Sequence, residues 1–372
     1  MTAVIAMIAP VSPFRGGVAQ HSTMLANALQ DVVDLKVFSY RRLYPEFLYP
    51  GDFQKDESTQ LKMVSPAFFV LDAINPVSWI RAAREIARSR PLAVILPWWT
   101  FFLAPCYLVI LAVLKRSGIS TIFICHNYSD HEAAFWKRWI SRLVLRYGDA
   151  FLVHSDSIRS DIHDAMPDRP CLVAPMPVYS SYPASSNDLP RRAELELLFF
   201  GFVRKYKGLD MLIRSLAALK RKDWHLTVAG ECWDDSEGYV QLAKELGVDD
   251  RIEFAFRYVM EAEAANYISR ADVLVLPYRS ATGSAVIPTA YHYNKPVVVT
   301  PVGGLPEVVE QGVTGFILRE VSVQALTDCL EELKTSDCRE LAEGISKWKS
   351  ENSWEQLASK LVDLIESSNE AE

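Results

Sequence analysis

The chain has 372 residues, half of them hydrophobic and 23% charged, which excludes an intrinsically disordered protein and predicts two domains rather than one core. A formal charge of −7 argues against a nucleic-acid-binding protein, and six scattered cysteines without a C-x-x-C pair argue against zinc and against a disulfide framework. The charge is uneven: residues 1–170 hold 18 Lys and Arg against 15 Asp and Glu, and the remainder 21 against 31, so the N-terminal half can face an anionic surface.

Val4–Ala9 reads as a first strand, and the segment is too short and lacks the basic lead of a secretory signal. After the Gly16-Gly17 turn, Val18, Ser22, Leu25 and Leu29 recur at helical spacing, which gives the βα unit that begins a doubly wound sheet. Strands at Leu35–Ser39, Ala93–Leu96, Thr121–Cys125 and Phe151–Val153 alternate with helices and extend a parallel α/β sheet. Pro91–Leu114 is uncharged and long enough to span a bilayer. Pro97 and Pro105 interrupt it, so a strand over Leu92–Leu96 and a helix from Leu103 are predicted instead.

Ile124–Glu132 follows a strand, where a doubly wound domain presents reactive groups, and His126 there can donate a hydrogen bond or move a proton. His131 and Glu132 are two metal-type ligands without a third; they read as polarity at a helix N-terminus, and no metal site is predicted. In the basic amphipathic helix Phe135–Tyr147, Trp136, Trp139, Ile140, Leu143 and Tyr147 share a face beside Arg138, Arg142 and Arg146. That face reads as the side covering the sheet, with a seat on an anionic membrane as the alternative.

The Ala174–Val178 and Ser/Pro-rich run to Pro190 breaks the alternation and marks the boundary between a first domain, 1–178, and a second, 190–350. The second domain alternates again, with strands at Leu197–Phe200, His225–Ala229, Ile252–Phe254 and Val273–Leu276. Its first strand leads to Arg204, Lys205 and Lys207 in a loop before a helix, an arrangement suited to a diphosphate. Between the strands Val273–Leu276 and Val297–Val299, the small residues Ala281–Ala285 let a ligand approach backbone N–H groups where the helix of Val286 begins. Gly303-Gly304 and Pro306 form a second such turn. An apolar stripe of Leu357, Leu361, Leu364 and Ile365 after Trp354 marks a last helix.

Taken in order, these segments resemble the glycosyltransferase family 4 enzymes: Arg15–Gln20, His126-Asn127, Phe200–Gly208, Val228–Glu231, Arg257–Val259, Ala271–Pro277 and Gly303–Glu307. The resemblance implies two facing Rossmann-like α/β domains, the GT-B architecture, with a cleft between them and a last helix, 354–368, that rejoins the first domain. It also implies retaining transfer from a nucleotide-activated sugar, with a UDP- or GDP-sugar as donor and a lipid-linked or polysaccharide precursor as acceptor the first hypothesis. The scattered cysteines fit a reducing cytoplasm, and the basic helix allows a peripheral place at the inner face of the membrane. The nucleotide sugar is then a co-substrate, with no tightly bound cofactor and no metal. Arg204 and Lys207 would hold the diphosphate, and Val259 the base through its backbone. Gly16 and Gly17 would approach the donor from the opposite wall, and His126 would contact the sugar as the catalytic residue. Thr282, Gly283, Ser284, Ala285, Val286 and Thr289 would complete the donor site.

The chain departs from that family's pattern at two positions, where a pair of glutamates eight residues apart is replaced by Ala281 and Thr289. Arg204 is likewise displaced from the usual arginine position, which holds Phe202. Two alternatives to an active transferase therefore stand: a non-catalytic GT-B protein that binds a nucleotide sugar or a partner, and a sugar-nucleotide epimerase.

Overall fold

The computed structural model describes residues 3–45, 54–56, 59, 61–127, 135–180, 182–186 and 189–370. His131 and Glu132 lie outside the described residues. The chain divides into two compact units, the first comprising Met1–Pro175 with Ser353–Glu372 and the second Met176–Asn352.

In the first unit the strands β1 (Val4–Ile8), β2 (Asp34–Arg42), β3 (Phe68–Asp72), β4 (Ala93–Trp98), β5 (Ser120–Cys125), β6 (Ala150–Val153) and β7 (Cys171–Val173) pair in the order β3-β2-β1-β4-β5-β6-β7. Every one of these pairings is parallel. A parallel strand must be reached by a crossover, and the sequence supplies one in α1 (Gly17–Leu29), α2 (Pro76–Arg88), α3 (Ala104–Arg116), α4 (Phe135–Leu145) and α5 (Asp156–Ala165). Strands β4, β5 and β6 are buried along their whole length, which is why they read as nearly continuous apolar runs. Helix starts follow local chemistry: Asn75 accepts from Val77 N at 3.1 Å with Pro76 at the first position, and Ser155 accepts from Ile158 N at 3.3 Å.

The second unit repeats this plan with β8 (Leu195–Phe200), β9 (Trp224–Ala229), β10 (Ile252–Ala255), β11 (Val273–Leu276), β12 (Val297–Val299) and β13 (Gly315–Ile317), ordered β10-β9-β8-β11-β12-β13. Its crossovers are α6 (Leu209–Ala218), α7 (Ser236–Glu245), α8 (Glu261–Arg270), α9 (Val286–His292) and α10 (Leu305–Val308). Helices α11 (Val323–Glu332), α12 (Thr335–Glu340) and α13 (Ala342–Glu351) follow. The last helix, α14 (Trp354–Glu370), returns to the first unit, packing on α1 and β6 through a face that includes Trp354, Leu357, Leu361 and Ile365.

Of two stretches that had alternative readings, the first forms the strand and helix predicted for it and the second does not cover the sheet as predicted. Pro91–Leu114 is a strand, a 3-10 turn over Phe101–Leu103 and α3, and no helix among the described residues is long and apolar enough to cross a membrane. In α4 the face turned to the core is Ser141, Val144 and Leu145; Trp136 and Trp139 are exposed, which corrects the reading of them as sheet-covering. The two faces are adjacent on the helical wheel, and the tryptophans' size masked the smaller residues that pack.

One device recurs at the amino ends of both sheets. Asp149, just before β6, is buried and accepts from Thr121 N at 2.9 Å and from Lys115 Nζ at 3.0 Å. Asp272, just before β11, accepts from Glu196 N at 2.8 Å and takes two bonds from Arg191, at 2.9 and 2.7 Å. Each carboxylate joins the starts of two neighbouring strands and satisfies an N–H that would otherwise be buried unpaired. Replacing either by Ala should cost about 2–3 kcal/mol, because an N–H and cations lose their acceptor. Asp250→Ala, which removes an exposed carboxylate 3.5 Å from Arg251 Nε, should cost less than about 0.5 kcal/mol. Urea unfolding of the three variants checks the ranking, and equal losses would contradict it.

Candidate functional site

In the second unit the carboxyl ends of β8, β11 and β12 bring three loops together. The first runs from Gly201 through a 3-10 turn at Lys205–Lys207. Gly208 ends that turn with φ +70°, and a Cβ there would stand 2.0 Å from Pro277 O, so the β8 loop can lie against the end of β11 only with glycine at this position. Gly303 does the same for the third loop: its φ is +51°, and a Cβ would stand 1.5 Å from Ala281 O. Arg279 locks the assembly from outside through two bonds to Asp210, at 2.8 and 2.7 Å, and one to Lys205 O at 3.0 Å. Burial works against the Asp210 charge, yet the Arg279 hydrogen bonds and charge hold its carboxyl below the usual range.

Lys207 is the central group of this site. The residue is 9% exposed, its Nζ lies 5.3 Å from the centre of the Tyr278 ring, and among the described residues that Nζ has no hydrogen bond and no acidic partner. Burial lowers its pKa, and the neighbouring Arg204 charge adds to that while Tyr206 opposes it. Tyr278 carries its hydroxyl 3.4 Å from Ser284 Oγ, so Lys207 and the turn 281–286 stand against the same ring. A Cβ on Gly201 would meet both Lys207 Nζ, at 3.5 Å, and Val286 Cγ2, at 3.6 Å. In that turn the N–H groups of Gly283, Ser284 and Ala285 donate to no group among the described residues, while Val286 N donates to Ser284 Oγ. A cation and a run of unpaired N–H groups at one place are the two features that can bind an anion.

The remaining residues predicted for this site fall around it. Arg204 lies 5.4 Å over the Trp233 ring, which in turn packs on Phe202 with ring centres 4.3 Å apart. Phe202, which stands where the family pattern has its arginine, thus packs on the ring that carries Arg204. Val259 buries its side chain in the core and leaves its N–H and C=O without a partner among the described residues. Thr282 stands in the turn, partly exposed. Thr289 is buried, and its hydroxyl donates to Ala285 O at 2.8 Å. Ala281 is buried beneath Gly303.

The first unit holds Gly16, Gly17 and His126. Gly16 has φ 101°, a conformation that favours glycine, and open space where a Cβ would be; Gly17 begins α1. His126, at the end of β5, belongs to a cluster that sequence reasoning missed. Its ring centre is 4.7 Å from that of His21 on α1 and 5.4 Å from that of His154, after β6. His21 is also 4.8 Å from His154 and 5.0 Å from Trp354 of α14. His154 Nδ1–H donates to Ala174 O at 2.8 Å. Its Nε2, His126 Nε2 and both nitrogens of His21 are buried without a partner among the described residues. No group of three or more His, Cys, Asp or Glu among those residues is arranged to hold a metal ion.

Burial pushes His126 down to about 3, helped by the neighbouring His154, and pushes His154 down to about 4 against the bond to Ala174. Burial and the two other rings also carry His21 well below its ordinary value. The rings are therefore neutral at pH 7, so His126 can exchange hydrogen bonds but does not offer an imidazolium. A depressed folded pKa means that the rings' contribution to stability is full above about pH 6.5 and is lost as pH falls toward about 4 and then about 3. Urea midpoints taken from pH 7.5 to 4 should fall, each ring adding at most about 1.4 kcal/mol per pH unit. His126→Gln/His154→Gln should flatten that decline; an unchanged slope would show that the rings titrate normally.

Comparison with known proteins agrees with these two units. Residues 15–179 match the family described as Glycosyltransferase Family 4, and residues 194–336 the one described as Glycosyl transferases group 1. Among curated relatives, a D-inositol 3-phosphate glycosyltransferase of Corynebacterium aurimucosum is 29% identical over 220 residues, 54% of this chain and 52% of that protein. Another from Frankia alni is 32% identical over 190 residues, 46% of each. The chain thus spans about half the length of these relatives. Among solved structures, sucrose-phosphate synthase of Thermosynechococcus elongatus aligns over 100% of both chains with a TM-score of 0.74 and 17% identity. HepE of Anabaena in complex with UDP-glucose aligns over 97% of this chain and 99% of its own, with a TM-score of 0.69 and 15% identity. The two parallel sheets are those of the GT-B fold, and with both halves of the sequence matched the chain belongs to the family 4 glycosyltransferases.

Proposed function

We propose that this protein is a glycosyltransferase that takes a sugar from a UDP- or GDP-sugar with retention of configuration and passes it to a hydroxylated acceptor. The observation that carries this reading is Lys207, a buried cation without an acidic partner, set beside a turn with three unpaired N–H groups. A buried charge is costly until it is paired, and a nucleotide diphosphate would pair it. As the sugar–phosphate bond breaks, negative charge grows on the leaving diphosphate, where Lys207, Arg204 and the N–H groups of Gly283, Ser284 and Ala285 would stabilise it. Thr282 and Val286 would border the same anion, the Val259 backbone would take the base, and no metal is assigned a role. Gly16 and Gly17 would admit the donor closely, and His126, neutral at pH 7, would hydrogen-bond the transferred sugar.

The relatives named as D-inositol 3-phosphate glycosyltransferases make a phosphate-bearing cyclitol one acceptor to test, beside lipid-linked and polysaccharide precursors. HepE, solved with UDP-glucose, supports UDP as the first nucleotide to test. The six cysteines are all unpaired, in keeping with a reaction in the cytoplasm.

A second reading, a non-catalytic nucleotide-sugar-binding protein, rests on the two substituted positions: Ala281 offers no carboxylate, and the Thr289 hydroxyl is engaged by Ala285 O. Incubation with UDP- and GDP-sugars and the three acceptor classes, followed by assay of released nucleotide, separates the readings. Release that depends on acceptor supports transfer, and tight UDP or GDP binding without release supports the second reading. Lys207→Ala should weaken UDP at least about tenfold while changing uridine less than about twofold, because a charge-assisted bond to phosphate is worth about 1.5–3 kcal/mol. Calorimetric titration of both ligands decides it, and equal losses would remove Lys207 from the phosphate site.

A further inference from the structure

The positive charge of the first 170 residues is concentrated on three helices. Helices α2, α3 and α4 carry eight Lys or Arg against one acid, Glu85, while the rest of residues 1–170 carry 10 against 14. The three helices form one layer, with α3 packed against both α2 and α4. Arg81, Arg84, Arg88 and Arg142 on its outer surface are exposed and have no acidic partner among the described residues; Arg138 has Asp161 at 3.7 Å.

Large apolar side chains stand among these cations. Trp136 is 50% and Trp139 60% exposed on α4, and Val77 is 55% and Ile80 37% exposed on α2. Val77, Ile80, Arg81, Arg84 and Arg88 follow helical spacing and make one stripe. The Trp136 ring is steadied edge-on by Phe101, with centres 5.2 Å apart, and Lys137 Nζ lies 4.9 Å over the Phe101 ring. Exposing two tryptophans to water is unfavourable, and the core of α4 is already made by Val144 and Leu145.

The geometry points to this layer as the surface by which the protein docks on an anionic lipid bilayer. Tryptophan suits the headgroup level because one end of its ring system is apolar and the other donates a hydrogen bond. Arginines bury their stems along the apolar surface while their heads reach lipid phosphates, and unpaired cations are attracted to a negative leaflet. A soluble acidic protein could answer the charge, but a bilayer answers both the charge and the exposed rings. The inference is independent of which sugar is moved, since it uses none of the residues assigned to the donor.

The test is sedimentation of the intact protein with vesicles of phosphatidylcholine alone, or with about a third phosphatidylglycerol, at low and high salt. Partition onto the anionic vesicles should be at least about tenfold stronger and should fall at least about tenfold as salt screens it. Trp136→Ser/Trp139→Ser and Arg81→Gln/Arg84→Gln/Arg142→Gln should each lower it about tenfold. The triple variant Lys220→Gln/Lys244→Gln/Lys347→Gln, on exposed lysines of the second unit, should stay within about twofold. Brominated lipids should quench part of the tryptophan fluorescence of the unaltered protein, a readout that needs no variant to fold. Absence of binding, equal binding to neutral vesicles, no quenching, or equal loss in the second-unit variant would overturn the proposal. Binding that the first-unit variants retain would do the same.

Discussion

Parallel pairing of every named strand is the constraint from which the rest of this structure follows. A parallel neighbour can be reached only by carrying the chain back over a face of the sheet, so all strand starts in a unit collect at one edge and all strand ends at the other. The two edges have different duties. At the starts, Asp149 and Asp272 close the sheets with hydrogen bonds to a neighbouring strand. At the ends lie His126 and His154 in one unit, and Lys207 and the turn 281–286 in the other. Stability and recognition thus occupy opposite edges of the same layer, and neither set of polar groups interrupts the apolar interior.

The Lys207 site shows how such an edge holds an unfavourable group. A cation this buried loses hydration, and the Tyr278 ring returns only part of it. The loop keeps its position because other contacts over-determine it: the bidentate Arg279–Asp210 pair, and the close approaches of Gly208 to Pro277 and of Gly303 to Ala281. Rigidity supplied from the periphery leaves the central charge available for a ligand, and little rearrangement is then needed when an anion binds.

Much of this was legible in the sequence, for physical reasons that can be named. Strands buried on both faces are written as unbroken apolar runs, as in Val273–Leu276, and turns that need close backbone approach are written with glycine, as at Gly303. The histidine cluster was not legible, because His21, His126 and His154 lie on separate βα units and meet only when β1, β4, β5 and β6 are in register. The exposed face of α4 was misread for a different reason. Periodicity locates an apolar stripe but does not say which of two adjoining stripes meets the sheet, and the larger side chains drew the assignment. Nor does the sequence alone reveal that the Thr289 hydroxyl is engaged by its own helix.

The return of α14 to the first unit makes the second unit an insertion within the first. During synthesis from the amino terminus, Met176–Asn352 has all its strands and helices before Ser353–Glu372 exists, and it can fold as soon as it emerges. The first unit cannot complete itself in that order. Its α1 face, including His21, waits uncovered until Trp354 and Leu357 have been made. Premature termination within the last twenty residues would therefore damage the unit that was translated first, and would spare the one translated just before the break.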